Sequence, residues 1–342
     1  MSIVSIIDST LRDGGYLNNW DFSEKFQFEL IQALINANAE IIECGFISNK
    51  SGNDLNGTCY KSIEKINNVL RGNAFNNSAS KFAVMMRPEE YNVADLPQCN
   101  KAENCITIIR VMLYQHEIKD SVDILKQIVE KGYELHIQPT IISKYSDEEV
   151  VKMIEGFKSV KYKAISIVDT FGSLNEISIK KITLLFDKYV NKNAIISLHC
   201  HNNLSKAYQN ALAFISSVDK KRDVYVDTAV NGLGRGAGNL QTEVFMSYLK
   251  NEKNMKYSIS PIKAFCEENM RNFNRNIFEK DFYAYIITAQ KNMHPNYATY
   301  LLLNKYSQKD IRKILELISE EKYESFDFEY IKSLCEVYMI KL

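Results

Sequence analysis

Two short segments of this chain combine residue types that can hold a divalent cation. His199 and His201 stand one residue apart in Leu198-His199-Cys200-His201-Asn202, and Asp8-Ser9-Thr10-Leu11-Arg12-Asp13-Gly14 sets an arginine beside a carboxylate. Two imidazoles and a carboxylate form an N,N,O donor set that leaves coordination positions open for water and substrate. Mn²⁺, Mg²⁺, Co²⁺ and Zn²⁺ all suit such donors, and the set does not choose among them. The neighbouring guanidinium adds a fixed positive charge next to the ion. A histidine pair at this spacing also arises by chance, so its meaning depends on the elements that position it.

Short β-branched runs alternate with amphipathic stretches along most of the chain. Strands are predicted at 3–8, 39–46, 82–87, 105–113, 134–142, 164–169, 194–201 and 223–230. Helices are predicted at 24–36, 61–70, 121–132, 147–157, 177–189 and 206–216, and Ser146 with Glu149 three residues on forms a capping box. Alternation at about 30-residue spacing implies parallel strands with right-handed crossovers. Eight such units within about 250 residues fit an α/β fold of the closed (β/α)8 TIM-barrel type better than an open doubly wound sheet. The pattern changes after Gln241. The division expected is a catalytic barrel over 1–255 and a helical C-terminal region over 256–342, rich in tyrosines such as Tyr283, Tyr285, Tyr297, Tyr300, Tyr306 and Tyr323. Such a tail packs on the barrel or covers a homodimer interface.

Barrel enzymes place their chemistry at the carboxyl ends of the strands. Arg12 and Asp13 follow the first run, Glu43 lies near the end of the second, Thr140 in the fifth, Asp169 and Thr170 at the end of the sixth, and His199 and His201 at the end of the seventh. Alternation along a strand puts both histidines on one face and Cys200 on the other, so Cys200 is not expected to be a ligand. After the eighth run, Asn231-Gly232-Leu233-Gly234-Arg235-Gly236-Ala237-Gly238-Asn239 holds four of the chain's 13 glycines. It matches neither the dinucleotide fingerprint nor a phosphate-binding P-loop. Two uses remain: a tight turn, or a loop that closes on substrate and brings Asn239 towards the metal.

Composition narrows the function class. The chain has 342 residues, 42 basic against 42 acidic side chains, and 46% hydrophobic residues. Zero formal charge offers no footprint for nucleic acid, and no apolar run approaches the roughly 20 residues of a membrane span. Met1-Ser2-Ile3-Val4 lacks the basic start of a signal peptide, and seven scattered cysteines without a C-x-x-C pair suggest reduced thiols. The expectation is a cytoplasmic enzyme of small-molecule metabolism with neither nucleic-acid nor membrane partners.

Taken in order, Asp8 to Gly14, His199-Cys200-His201-Asn202 and Gly232 to Asn239 resemble the DRE-TIM metallolyases. That group holds 3-hydroxy-3-methylglutaryl-CoA lyase, the isopropylmalate and homocitrate synthases and 4-hydroxy-2-oxovalerate aldolase. The similarity covers about residues 3–250, and the overall length with a helical tail is most similar to the oxovalerate aldolases. The resemblance implies a divalent-metal carbon–carbon lyase acting on a 2-oxo acid and an aldehyde, with Mn²⁺ or Mg²⁺ ahead of Co²⁺ or Zn²⁺. It implies Asp13, His199 and His201 as metal ligands and Asn239 as a fourth. Arg12 would face the 2-oxo oxygen, Glu43 matches an acidic residue after the second strand, and Thr170 falls where the family holds the substrate carboxylate.

The chain departs from the aldolases at one point. They carry a histidine shortly after Arg-Asp-Gly, where this chain reads Gly15-Tyr16. A phenol with an ordinary pKa near 10 serves as an acid or water-positioner more readily than as a base. His294, Tyr283 and Tyr285 of the tail are candidates to fill the gap. Two other readings stay open: Claisen-type chemistry on an acyl-CoA, and a non-catalytic metabolite-binding or scaffold subunit whose tail docks an aldehyde dehydrogenase.

Overall fold

Each of the eight apolar runs forms a parallel strand in the computed structural model, which describes residues 3–49, 57–100, 105–270 and 282–340. The strands are β1 (Val4–Asp8), β2 (Ile41–Ile47), β3 (Cys59–Tyr60), β4 (Lys81–Met86), β5 (Ile106–Leu113), β6 (Glu134–Pro139), β7 (Ala164–Asp169), β8 (Ile195–Cys200) and β9 (Val224–Thr228). Neighbours pair in the order β1-β9-β8-β7-β6-β5-β4-β2, and β1 also pairs with β2 through Ile7↔Ile41 and Asp8↔Ile42. That last pairing closes a (β/α)8 barrel. The two-residue β3 is additional and lies beside Phe46 and Ile47. Gly45 makes its approach possible: at φ +143°, a Cβ there would stand 2.0 Å from the Thr58 carbonyl oxygen.

Hydrogen-bonding side chains start several of the outer helices. Ser23 caps Glu24–Asn36, Ser62 caps Ile63–Gly72, and Asn175 caps Glu176–Tyr189. Ser146 and Glu149 make the reciprocal capping box of Asp147–Gly156. The apolar faces of these helices bury residues such as Leu30, Leu34, Ile66, Ile154 and Phe186 against the outward-facing strand residues Ile6, Ile42, Val84 and Ile109. The opposite faces of the strands point into the barrel. There Ile7, Ile41, Ala83, Ile108, Ala164, Ile195 and Tyr225 form a separate buried cluster.

Beyond the barrel, the described helices Phe282–Gln290, Asn296–Leu303, Gln308–Leu317 and Phe328–Ile340 enclose their own core of Tyr285, Met293, Tyr297, Leu301, Ile314, Leu315 and Ile331. Helix Ser260–Asn269 instead places Ile262 and Phe265 in the barrel's cluster, where Phe265 meets Phe26 edge-on at 5.1 Å. The stretches 271–281 and 341–342 of the expected helical region lie outside the described residues. Asn292 joins the tail to the loops after β6 and β7, accepting from Ser143 at 2.8 Å and Ser173 at 2.5 Å. Both loops are on the carboxyl side of the barrel, so the tail docks at its mouth. Among the described residues no helix is long and apolar enough to cross a membrane.

Candidate metal centre and active site

A sharp turn after β1 lifts Arg12 and Asp13 over the mouth. Asp8 accepts the Thr10 N–H at 3.0 Å, and Thr10 Oγ1 accepts the Val230 N–H at 2.8 Å, tying the short helix Thr10–Asp13 to the loop after β9. From the other side, β8 delivers His199 and carries straight on to His201. One potential ligand atom from each of Asp13, His199 and His201 falls within 4.8 Å of the others, and all three side chains are buried. The two imidazoles meet edge to face with centroids 4.9 Å apart. Cys200 points away and donates to the Ala207 carbonyl at 3.5 Å.

The far nitrogen of each ring is anchored. His199 Nδ1 lies 3.0 Å from Asp227 Oδ2, and His201 Nδ1 lies 3.0 Å from the Asp169 carbonyl oxygen. Both acceptors require a proton on Nδ1, which leaves the Nε2 lone pair free in a neutral ring. Both Nε2 atoms are buried without a hydrogen-bond partner, as is Oδ1 of Asn239. His201 Nε2 stands 3.3 Å from Asp13 Oδ2, and Asn239 Nδ2 donates to that same oxygen at 2.7 Å. Orphaned lone pairs facing a buried carboxylate are costly unless a cation fills the gap, so the residues present fit a divalent metal.

Charge supports the same fit. Asp13 pairs with Arg12, Arg12 Nε donates to Glu43 Oε2 at 2.9 Å, Arg110 donates to that oxygen at 2.9 Å, and Arg110 reaches Asp227 at 2.5 Å. Two guanidiniums thus face three carboxylates in one buried chain. With neutral imidazoles it keeps one negative charge in excess. Burial would raise the Asp227 carboxyl, but Arg110 and the His199 bond hold it down at about 2. Burial likewise opposes ionisation of Asp13, and the Arg12 guanidinium overcomes it, keeping its carboxyl well below the usual range. Burial lowers the His199 imidazole below its ordinary value, against the pull of Asp227.

Glu43 is fully buried, and its Oε2 is spent on Arg12 and Arg110, while Oε1 has no partner. In the structure its visible work is to orient Arg12. Thr170 Oγ1 accepts the Ile141 N–H at 2.7 Å, which leaves its proton free to donate. That contact holds Ile141, a β-branched residue, at φ +59°. The glycine loop is packed on the site: a Cβ on Gly234 would stand 2.6 Å from Asp13 Oδ2, and Asn239 bridges to His201 through the backbone.

Tyr16 follows Arg12-Asp13-Gly14 by two positions. Its ring meets the edge of Trp20 at 4.7 Å, and the Arg235 guanidinium lies over it at 4.8 Å. Burial raises the phenol above its ordinary value despite Arg235 and Arg12, so Tyr16 is protonated at neutral pH. His294 comes from the tail and brings Nε2 to 3.3 Å from Arg235 Nη1. Burial first, then the charge of Arg235, hold its imidazole well below the usual range. Tyr285 hydrogen-bonds Thr299 inside the tail's own core, and Tyr283 is exposed.

The HMGL-like family model matches residues 3–264. The chain belongs to the HMGL-like family. It is 28% identical over 249 residues to a 4-hydroxy-2-oxovalerate aldolase of Carboxydothermus hydrogenoformans, covering 72% of this chain and 70% of that one. A 2-isopropylmalate synthase of Buchnera aphidicola is 24% identical over 265 residues, with 73% of this chain and 48% of the relative covered. Among solved structures, the N-terminal domain of an aldolase-like protein of Bacteroides vulgatus superposes with a TM-score of 0.75 at 22% identity, over 90% of this chain and 99% of that one. The HMG-CoA lyase of Brucella melitensis reaches 0.60 at 16% identity, over 78% of this chain and 96% of that one, which is a likeness of fold.

Three residues of this HMGL-like mouth escape a reading of sequence motifs: Arg110, Asp227 and Arg235. The first two carried a signal. Arg110 follows Ile108 by two positions on β5 and Asp227 follows Tyr225 by two on β9, so alternation assigns both charges to the barrel interior. A charge there demands a partner. Arg235 stood inside the glycine loop, but nothing local says where its side chain points.

Proposed function

We propose that this protein is a divalent-metal-dependent aldolase that makes or breaks the carbon–carbon bond between a pyruvate-type 2-oxo acid and an aldehyde. Membership of the HMGL-like family makes it a carbon–carbon lyase, and the aldolase relatives of similar length favour the aldehyde reaction over Claisen chemistry on an acyl-CoA. The observation that carries the reading is the set of two buried, unpartnered Nε2 atoms beside Asp13. Asp13, His199 and His201 would hold the ion, with Asn239 Oδ1 next to them; Mn²⁺ or Mg²⁺ is proposed first, and Co²⁺ or Zn²⁺ is compatible. When bound, it supplies Lewis acidity towards the oxygens of the oxo acid.

The chain's own residues supply the rest. Arg12 is fixed by Glu43 and Asp13 and donates to the 2-oxo oxygen, whose negative charge grows as the bond to the aldehyde carbon breaks and the electron pair moves into the enolate. Thr170 donates its free hydroxyl proton to the substrate carboxylate. In the addition direction a methyl proton of the oxo acid passes to solvent water as the enolate forms, and Tyr16, held as a phenol, donates a proton to the aldehyde oxygen as the new bond forms and is reprotonated from that water. Removing a donor that faces developing oxyanion charge costs about 3–4 kcal/mol, so Arg12→Gln should lose two to three decades in kcat.

Exchange of pyruvate methyl protons in D₂O tests the reading without requiring knowledge of the aldehyde. Exchange should vanish on chelation and return with Mn²⁺; full exchange by the stripped protein sinks the metal-assisted enolate. A second copy or an aldehyde dehydrogenase on the tail is also proposed, supported by exposed Leu303, Leu317, Phe328 and Val337.

A further inference from the structure

Arg235 is a half-buried cation that joins no ion pair among the described residues, and its Nε is a buried donor with no acceptor. Its backbone is firmly set. The Arg235 N–H donates to Asp13 Oδ2 at 3.3 Å, its carbonyl accepts from Gly238 at 3.2 Å, and the Gly238 carbonyl accepts from Asn202 at 2.7 Å. Tyr16 supports the guanidinium face from below.

The contact with His294 is unusual. His294 Nδ1 accepts the Asn296 N–H at 3.2 Å, so a neutral ring carries its proton on Nε2. That N–H faces Nη1 of Arg235, another donor, at 3.3 Å. Neither group can accept from the other. An anionic oxygen seated between them accepts from both, and Nε offers a third donor.

We propose that Arg235 and His294 form an anion subsite that takes the carboxylate or phosphate of an anionic aldehyde. The assignment to the aldehyde rests on the aldolase reading above. Arg12 and Thr170 are engaged with the oxo acid, and Tyr16, the proton donor to the aldehyde oxygen, carries the Arg235 guanidinium over its ring at 4.8 Å. The substituent of the aldehyde therefore extends towards Arg235. The tail's part in the active site is then to supply one half of this subsite.

Three aldehydes added to pyruvate by the metal-loaded protein test it: butanal, succinic semialdehyde and glyceraldehyde 3-phosphate. One anionic aldehyde should exceed butanal in kcat/KM by tenfold or more, and which one identifies the group as carboxylate or phosphate. In Arg235→Met this anionic-to-neutral ratio should fall ten- to a hundredfold, and Arg235→Lys should recover part of it. No anionic preference in the wild type, or an unchanged ratio in Arg235→Met, overturns the subsite. A turnover-free measurement separates it from the aldolase reading. Trp20 is the chain's one tryptophan and touches Tyr16, so its fluorescence should report saturable binding of succinate or inorganic phosphate, at least tenfold weaker in Arg235→Met. Anion binding without pyruvate proton exchange would leave the subsite and remove the aldolase reading; exchange with neither anion binding nor anionic preference would do the reverse.

Discussion

The lower and upper halves of the barrel interior are built from the same strand faces and do opposite things. Ile41, Ile108 and Tyr225 belong to the lower layer, and two residues further along the same strands stand Glu43, Arg110 and Asp227. The lower layer holds itself by exclusion of water, each fully buried aliphatic side chain contributing about 1.5–3 kcal/mol. The upper layer is equally dry, and every charge in it depends on a named partner. One pleat period therefore separates a region that tolerates volume-conserving change from one that tolerates no unpaired group.

Removing a charge from the upper layer should be the most damaging change. Arg110→Met leaves Glu43 and Asp227 without their shared cation, and unfolding by urea should show a loss of about 3–5 kcal/mol. A loss under about 1 kcal/mol would mean that the pairing is not what holds this layer. Next, Ile108→Ala in the lower layer should cost about 2–4 kcal/mol through the cavity it opens, with metal affinity unaltered. Altered affinity would show that the layers are mechanically coupled.

Asp227→Asn probes the boundary between packing and chemistry. It keeps volume but loses the charge that orients His199 Nδ1–H, so metal affinity measured by competition with a chelator should fall about 10–100-fold. Unchanged affinity would reduce Asp227 to a partner of Arg110 alone. The smallest effect concerns Asp8, a carboxylate at the mouth end with hydroxyl and amide partners in place of a cation. Burial raises it from 3.8 to about 6. A raised acid favours the folded state when protonated, and that contribution fades as pH climbs through about 6. Asp8→Asn, which never ionises, should gain on the wild type by about 1.4 kcal/mol between pH 5 and pH 8 in melting experiments. A gain that is flat with pH would show that Asp8 is not ionising in this range.

Much of this arrangement is legible in the sequence. The β-branched runs mark all eight barrel strands, and Ser146 with Glu149 marks a helix start that the structure repeats. The order of strand ends put Arg12, Asp13, His199 and His201 at one mouth, and the structure brings these four side chains together. Less legible was β3, two residues whose pairing depends on Gly45 letting another backbone approach. The relation of Glu43 to Arg110 was hidden as well, because their contact spans 67 positions and two strands that are not adjacent in the barrel.

What the sequence determines alone is local and periodic. Alternation sets which residues face inward, capping residues set where helices begin, and the spacing of His199 and His201 sets two imidazoles on one face of β8. The tertiary structure decides which charges meet. Closure of β1 against β2 and β9 brings Arg12 onto Glu43 and the loop after β9 onto Asp13. Docking of the tail carries His294 to Arg235 across 59 positions. No local pattern encodes those meetings, because hydrogen bonds between charged groups act over about 3 Å and only the folded chain brings such distant residues that close.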